Sequence, residues 1–204
     1  MTSKYGFPDI REALIEELKG AYPTKWEGFE TAQILGEDVF GSPKPHPNAV
    51  LNLFLEQGVK FASPFAAYRA GLGSPSSLAS EEPDATLQRS TLTSIIHGMG
   101  ESRRLAVVAA HDIVYTGNRE PCFERGCPLN AGVSRMDQRL EALNGVHQVV
   151  VARNELDMLT PPSFRDHICE GCANRLEAEH LNWRKRFFWK RLPWLLGWSS
   201  WDGV

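Results

Sequence analysis

The sequence predicts a mainly α-helical fold. The expected form is an irregular bundle of about six to eight helices, with a loop-rich cysteine-containing segment and a tryptophan-rich C-terminal tail. Two observations carry that expectation. Apolar residues recur at helical spacing behind capping signals in segment after segment, and no stretch shows the strand–helix alternation of a doubly wound sheet. In the first segment, Asp9 and Glu12 fit a capping box and Ile10, Leu14 and Leu18 share one face, with Gly20 and Pro23 as stops. Thr24 and Glu27 fit a second box, ahead of an inward set of Trp26, Phe29 and Ile34. Beyond the proline-rich link from Ser42 to Pro47, a third helix places Val50, Leu53, Phe54 and Gln57 inward and ends at Gly58. Pro64 to Ala70 predicts a short helix with Phe65 and Tyr68 facing the core.

From Gly71 to Asp84 the chain turns to Gly, Ser, Pro and acidic residues without hydrophobic period, the composition of a link or exposed loop. This suggests an N-terminal helical region over 1–73, a linker or loop over 74–86 and a C-terminal helical region over 87–204. Leu92, Ile95, Ile96 and Met99 resume a helical period that runs on through Leu105 to Val114. Gly98 and Gly100 leave either one kinked helix or two abutting ones open. Thr116 to Gly132 reads as loop, and Ser134 with Asp137 opens another helix carrying Met136, Leu140 and Leu143. Gln148 to Ala152 has enough β-branched residues for a strand, although helices flank it. A long final helix is expected from Ser163 to Arg191, closed by Pro193.

Composition narrows the function classes. The 204 residues are 42% hydrophobic and 23% charged, which argues for a folded chain. A formal net charge of −3 weighs against non-specific nucleic-acid binding by the whole chain, because counterion release needs many cations on one face. No apolar run is long enough to cross a bilayer, and no apolar leader follows Met1. The expectation is a cytoplasmic or nuclear protein without membrane association.

The chemistry-bearing residues are the cysteines. They form Cys122-x4-Cys127 and Cys169-x2-Cys172, with 41 residues between the pairs. Two close thiol pairs supply the four soft ligands of a tetrahedral zinc site through two short chelate loops. The second pair falls where helix amides stabilise thiolate charge, and His167 is a substitute ligand. Reduced unligated thiols are an equally bland alternative, weighted slightly ahead of zinc, and a disulfide weighs least in a chain without a secretory signal. A thiolate–imidazole pair of Cys127 or Cys169 with His111, His147 or His167 finds no supporting motif around either cysteine. Gly98-Met99-Gly100 lacks the Lys-Ser/Thr of a phosphate loop. No catalytic residue is assigned, no enzyme activity is expected, and the only cofactor considered is a structural zinc.

Five of the six tryptophans, Trp183, Trp189, Trp194, Trp198 and Trp201, lie among Arg184, Lys185, Arg186, Lys190 and Arg191 near the C-terminus. Aromatics beside cations suit a membrane interface or a single-stranded nucleic-acid platform. The wheel mixes the two types instead of segregating them, so packing of the tail on the domain is favoured, with Trp194, Trp198 and Trp201 substantially buried.

The order of these segments resembles the region that follows the BTB/POZ fold in fungal BTB domain-containing proteins. The residues that carry the resemblance are Lys4-Tyr5-Gly6-Phe7-Pro8-Asp9-Ile10-Arg11 through Ala21-Tyr22-Pro23, then Ala49-Val50-Leu51-Asn52-Leu53, then Pro64-Phe65-Ala66-Ala67-Tyr68-Arg69. The paired cysteines and Leu192-Pro193 with Gly197-Trp198-Ser199-Ser200-Trp201 complete it. The resemblance spans nearly the whole chain and implies a non-catalytic, BACK-like adaptor or scaffold region that binds an unidentified protein partner. The BTB fold that precedes the Lys4-Tyr5 segment in that family is not in this sequence, which reads either as a truncated product or as a stand-alone helical module. The first helix, lacking its upstream neighbour, is then a candidate for self-association. The alternative from another class is a zinc-stabilised nucleic-acid-binding module that uses the four cysteines and the basic aromatic C-terminal helix.

Overall fold

The computed structural model describes residues 8–29, 45–73, 75–113, 122–125, 127–130, 141, 143–148, 164–166 and 168–201. The protein is mainly helical, as its patterning predicts. Helix α1 is Pro8–Ala21, α2 Pro47–Gln57, α3 Ser63–Gly71, α4 the single turn Pro75–Leu78, and α5 Arg89–His111. A 3-10 turn, Pro83–Ala85, precedes α5. Residues 26–29 and 143–148 are also helical. Helix α6 (Glu170–Trp183), a π-helical turn (Arg184–Phe188) and α7 (Trp189–Leu195) follow one another without a break. No helix among the described residues is long and apolar enough to cross a membrane. Ile34, the 134–140 helix and the 149–152 strand of the sequence reading lie outside the described residues, whereas Gln148 is helical.

The chain divides into two compact units, one made of residues 1–99 with 191–204 and the other of 100–190. In the first, α2 packs on α3 and on the 3-10 turn. Aromatic rings hold this core: Tyr22 meets Phe54 edge-on at 4.8 Å and Phe65 at 6.1 Å, and Phe29 meets Phe65 at 5.9 Å. Burial pushes the Tyr22 hydroxyl up to about 12, with the Arg69 guanidinium opposing the shift. Leu51, Ile95, Leu192 and Leu196 are also buried in this unit. In the second unit, Ala109, Leu129, Val146, Phe164 and Leu176 belong to one buried cluster, and it contains cysteine side chains.

Several local expectations are revised. Helix α1 begins at Pro8, one residue before Asp9, which was expected to precede it. Leu14, expected on a core face, is 48% exposed, and Leu18 is half-buried. On α2, Leu53 is also 48% exposed, while Leu51 and the polar Asn48 point inward. Asn48 explains why 74–86 is not a structureless linker. Its side-chain amide donates to the carbonyls of Ser77 (2.9 Å), Leu78 (3.3 Å) and Ala85 (3.0 Å), and that of Asn52 donates to those of Asp84 (3.1 Å) and Thr86 (2.9 Å). Two amides one helical turn apart thus satisfy the carbonyls of a segment too short of apolar residues to fold on its own. The division between units accordingly falls at 99/100 and 190/191, not at 74–86.

Glycine closes two helices in the same manner. At Gly58 (φ 66°) the Gly58 amide donates to Leu55 O and the Val59 amide to Phe54 O, a Schellman ending. At Gly197 (φ 93°) the Gly197 amide donates to Trp194 O and the Trp198 amide to Pro193 O. Pro193 therefore lies inside α7 and does not terminate the helix. Its ring is buried beside Leu192, Leu195 and Leu196 on the inward face. Trp194 points the other way and is 71% exposed, and Trp198 and Trp201 are half-buried, so the expected burial of the indoles is only partly realised.

Helix α5 is one helix through both of its glycines, and the two differ in role. A Cβ on Gly98 would collide with the Leu195 carbonyl and come within 2.9 Å of Leu196 Cδ2, whereas one on Gly100 would meet nothing within 4 Å. Gly98→Ala is therefore expected to lower stability by about 1–3 kcal/mol. Gly100→Ala should raise it by about 0.5–1 kcal/mol, by reducing the freedom of the unfolded chain. Urea midpoints of the two variants should move in opposite directions.

Candidate metal centre

The four cysteines of the sequence reading converge. The Sγ atoms of Cys122, Cys127, Cys169 and Cys172 all lie within 4.8 Å of one another. Cys122 Sγ is 3.6 Å from Cys169 Sγ, and Cys127 Sγ is 4.0 Å from Cys172 Sγ. Three of the thiols are buried and Cys169 is half-exposed.

Each pair is placed by local structure. Cys169 is the N-cap residue of α6, with extended backbone (φ −62°, ψ 158°), and its carbonyl accepts from the Ala173 amide. Cys172 follows within the first helical turn, where unpaired amides and the helix dipole favour a thiolate. Arg175, one turn further on, brings Nη2 to 3.8 Å from Cys172 Sγ. Cys122 and Cys127 sit in a loop closed by Asn130. Its amide nitrogen donates to Cys127 O (2.9 Å), its side chain donates to Glu124 O (2.8 Å), and an isolated bridge joins Cys122 to Asn130. Asn130 is buried. This asparagine takes the place of the glycine-rich turn that the C-x4-C spacing lacks, and sequence reading passed over it.

The geometry suits a tetrahedral ion. With metal–sulfur bonds of about 2.3 Å, the edge of an S4 tetrahedron is about 3.8 Å. Two of the sulfur pairs, at 3.6 and 4.0 Å, straddle that value. Electrostatics point the same way. Burial pushes the Cys169 thiol up to about 11 and the Cys172 thiol higher still, its neighbours Cys122 and Cys169 adding to the shift. Burial is the largest influence on Cys127 and acts in the same sense. Backbone hydrogen bonds at Cys169 and Leu129 and side-chain hydrogen bonds with Cys169 and Cys122 together outweigh it and hold this thiol below the ordinary range. The unmetallated cluster thus favours few thiolates, because like charges at these separations repel. A divalent cation at its centre reverses that balance and deprotonates its ligands. The four cysteines can therefore bind a metal ion.

His167 lies outside the described residues. His111 and His147 are not part of the cluster, and His111 instead faces Asp112 at 3.6 Å. A different histidine stands out in the same unit. His180, in the last turn of α6, is completely buried, and neither ring nitrogen has a hydrogen-bond partner among the described residues. Burial, with the buried Arg184 guanidinium adding to it, pulls its pKa down to about 3. No spacing in the sequence distinguishes it from any other helical histidine.

Fold and cluster together define a mainly helical protein with four cysteines close enough together to bind a metal ion. Comparison of the chain with protein-family models, with curated proteins and with solved structures finds no match in any of the three.

Proposed function

We propose that this chain is a non-catalytic helical interaction module, an adaptor of the kind its resemblance to the post-BTB region implies, held together by one structural zinc. The observation that supports it most is the convergence of Cys122, Cys127, Cys169 and Cys172 within 4.8 Å. Four thiolates from the protein complete the coordination of zinc and leave no open position for substrate or water, the arrangement of structural rather than catalytic sites. The ion ties the 122–130 loop to the start of α6 in a unit whose buried cluster is rich in small side chains such as Ala109, Ala110 and Ala173. Exposed apolar residues suited to a protein partner include Leu14 on α1 and Val107 and Val108 on α5.

Metal analysis of the purified full chain should find one zinc per chain. Cobalt substitution should give the thiolate-to-metal charge-transfer band of an S4 site. A metal-free protein whose four thiols all react quickly with a thiol reagent would remove the basis of this reading.

One observation favours the nucleic-acid alternative enough to test it. No Asp or Glu occurs between His180 and Trp201, a stretch holding Arg184, Lys185, Arg186, Lys190 and Arg191. Lys185, Arg186 and Lys190 are exposed, and Phe187 beside them is 53% exposed. Under this alternative, fluorescently labelled single-stranded RNA binds with an affinity that falls steeply with salt. Under the adaptor reading its anisotropy stays flat.

A further inference from the structure

The pairing of the four sulfurs carries information beyond their ability to hold an ion. Two of the sulfur contacts cross between the sequence-local pairs. Cys122 touches Cys169, 47 residues away, and Cys127 touches Cys172, 45 residues away. Each contact therefore joins the 122–130 loop to the start of α6. The sulfurs also differ in access: Cys169 is half-exposed while Cys122, Cys127 and Cys172 are buried. A reagent from solvent meets Cys169 first, and the Cys122 sulfur lies 3.6 Å from it.

The geometry points to Cys169 as an oxidation site for peroxides, with Cys122 as its resolving partner, in a centre that exchanges its zinc for two loop-to-helix disulfides. This rests on the metal reading above, because the ion is what keeps the thiols deprotonated and nucleophilic. In the first step the Cys169 thiolate attacks one oxygen of hydrogen peroxide. A sulfur–oxygen bond forms, the oxygen–oxygen bond breaks, and hydroxide leaves, giving a sulfenic acid on Cys169. The Cys122 thiolate then attacks the Cys169 sulfur and a second hydroxide leaves, forming the Cys122–Cys169 disulfide. Two ligands are now lost and the ion is released. A second peroxide oxidises Cys127 and Cys172 in the same way. In total, four thiolates and two peroxides yield two disulfides, four hydroxides and one free zinc ion.

Closing each sulfur pair to a disulfide of about 2.05 Å needs only a small approach from the observed contacts. The consequence separates oxidation from chelation. A chelator takes the ion and leaves the loop unconnected to α6. Peroxide takes the ion and replaces it with covalent links across the same junction, so residues 100–190 keep their fold.

The test uses the reduced, zinc-loaded full chain titrated with hydrogen peroxide. Released zinc is read with a chromogenic chelator, disulfides are mapped by peptide mass spectrometry under non-reducing conditions, and folding is followed by circular dichroism. One zinc should be released per two peroxides. At half the full dose Cys122–Cys169 should predominate over every other link, and Cys127–Cys172 should follow. Helical signal should survive peroxide and fall on chelation, and thiol reductant with zinc should restore the starting state. Local Cys122–Cys127 and Cys169–Cys172 links, or accumulation of sulfinic acid at Cys169 without a disulfide, would overturn the proposal. A chain isolated without zinc would sink the metal reading instead. The same mapping on that chain still decides the pairing, and absence of the two crosswise links there would overturn it too.

Discussion

Cys172→Ser protein should purify with only background zinc and with residues 100–190 unfolded, while the unit formed by 1–99 and 191–204 keeps its structure. The magnitudes make this the largest expected effect. A structural zinc contributes on the order of 10 kcal/mol in small zinc-dependent folds. The entire stability of a domain is about 5–15 kcal/mol. Removing one ligand of four therefore threatens the whole net stability of the unit, not a fraction of it. Cys172 is the informative ligand because it is buried in the unit's apolar cluster beside Ala173 and Leu176. Serine puts a hydroxyl of poor zinc affinity in that place. Hydrogen exchange read by mass spectrometry is the suitable measurement, since it resolves protection along the chain. Loss of protection over the described residues of 100–190, with 8–29, 45–73 and 75–99 still protected, is the expected pattern. Unchanged zinc content and unchanged protection in the variant would show that the four sulfurs merely pack.

A second large effect belongs to His180. Its pKa is about 3 in the folded protein against 6.5 for an ordinary histidine, so the unfolded chain binds a proton that the native state refuses. The native state holds the ring neutral, and this group costs nothing above about pH 6.5. As pH falls below that value, the unfolded state is progressively favoured, until the folded pKa is reached near 3. At about pH 5 the loss is about 2 kcal/mol relative to neutral pH. Acid also reprotonates the cysteine thiolates and weakens metal binding, and the two effects superpose. His180→Leu separates them, because it replaces two unsatisfied ring nitrogens with apolar surface and leaves the thiols intact. The variant should melt higher than the parent at about pH 5, with the difference shrinking toward pH 7. A parent-minus-variant difference that does not change with pH would mean that His180 gains a proton in the folded state at little cost.

The helices were legible in the sequence to the extent that their signals are local. Pro47 and Gly58 bracket α2 because a proline is tolerated in a first turn and a glycine in a left-handed ending, wherever the rest of the chain lies. The inward face of α2 was only half legible. Leu53 and Leu51 are equally apolar, and which of them is covered depends on packing partners far along the chain. Asn48 was illegible for the same reason: its three carbonyl partners lie 29 to 37 residues away. Pro193 misled because the general penalty for a helical proline is large, yet α7 carries it as part of a buried apolar face. The candidate site divides similarly. Spacing brought out all four cysteines of the cluster, since chelation needs close pairs, but not the crosswise contacts or Asn130. The resemblance to a post-BTB region stands as a proposal alongside the interaction role drawn from it.

The division of the chain has a bearing on how it is made. Residues 100–190 are continuous, whereas their companion unit needs both 1–99 and 191–204. A ribosome working at about 5–20 residues per second releases Cys172 about 2–9 s after Cys127. Through that interval the first pair of thiols is without the second. Residues 100–190 hold all four cysteines, so the cluster can assemble without 191–204. The companion unit cannot complete its core without them, because Leu192, Leu195 and Leu196 are buried in it. The Leu195 carbonyl that a Cβ on Gly98 would meet is likewise supplied only after 100–190 has been made. The first 99 residues, although made first, are thus completed only after the segment that interrupts them.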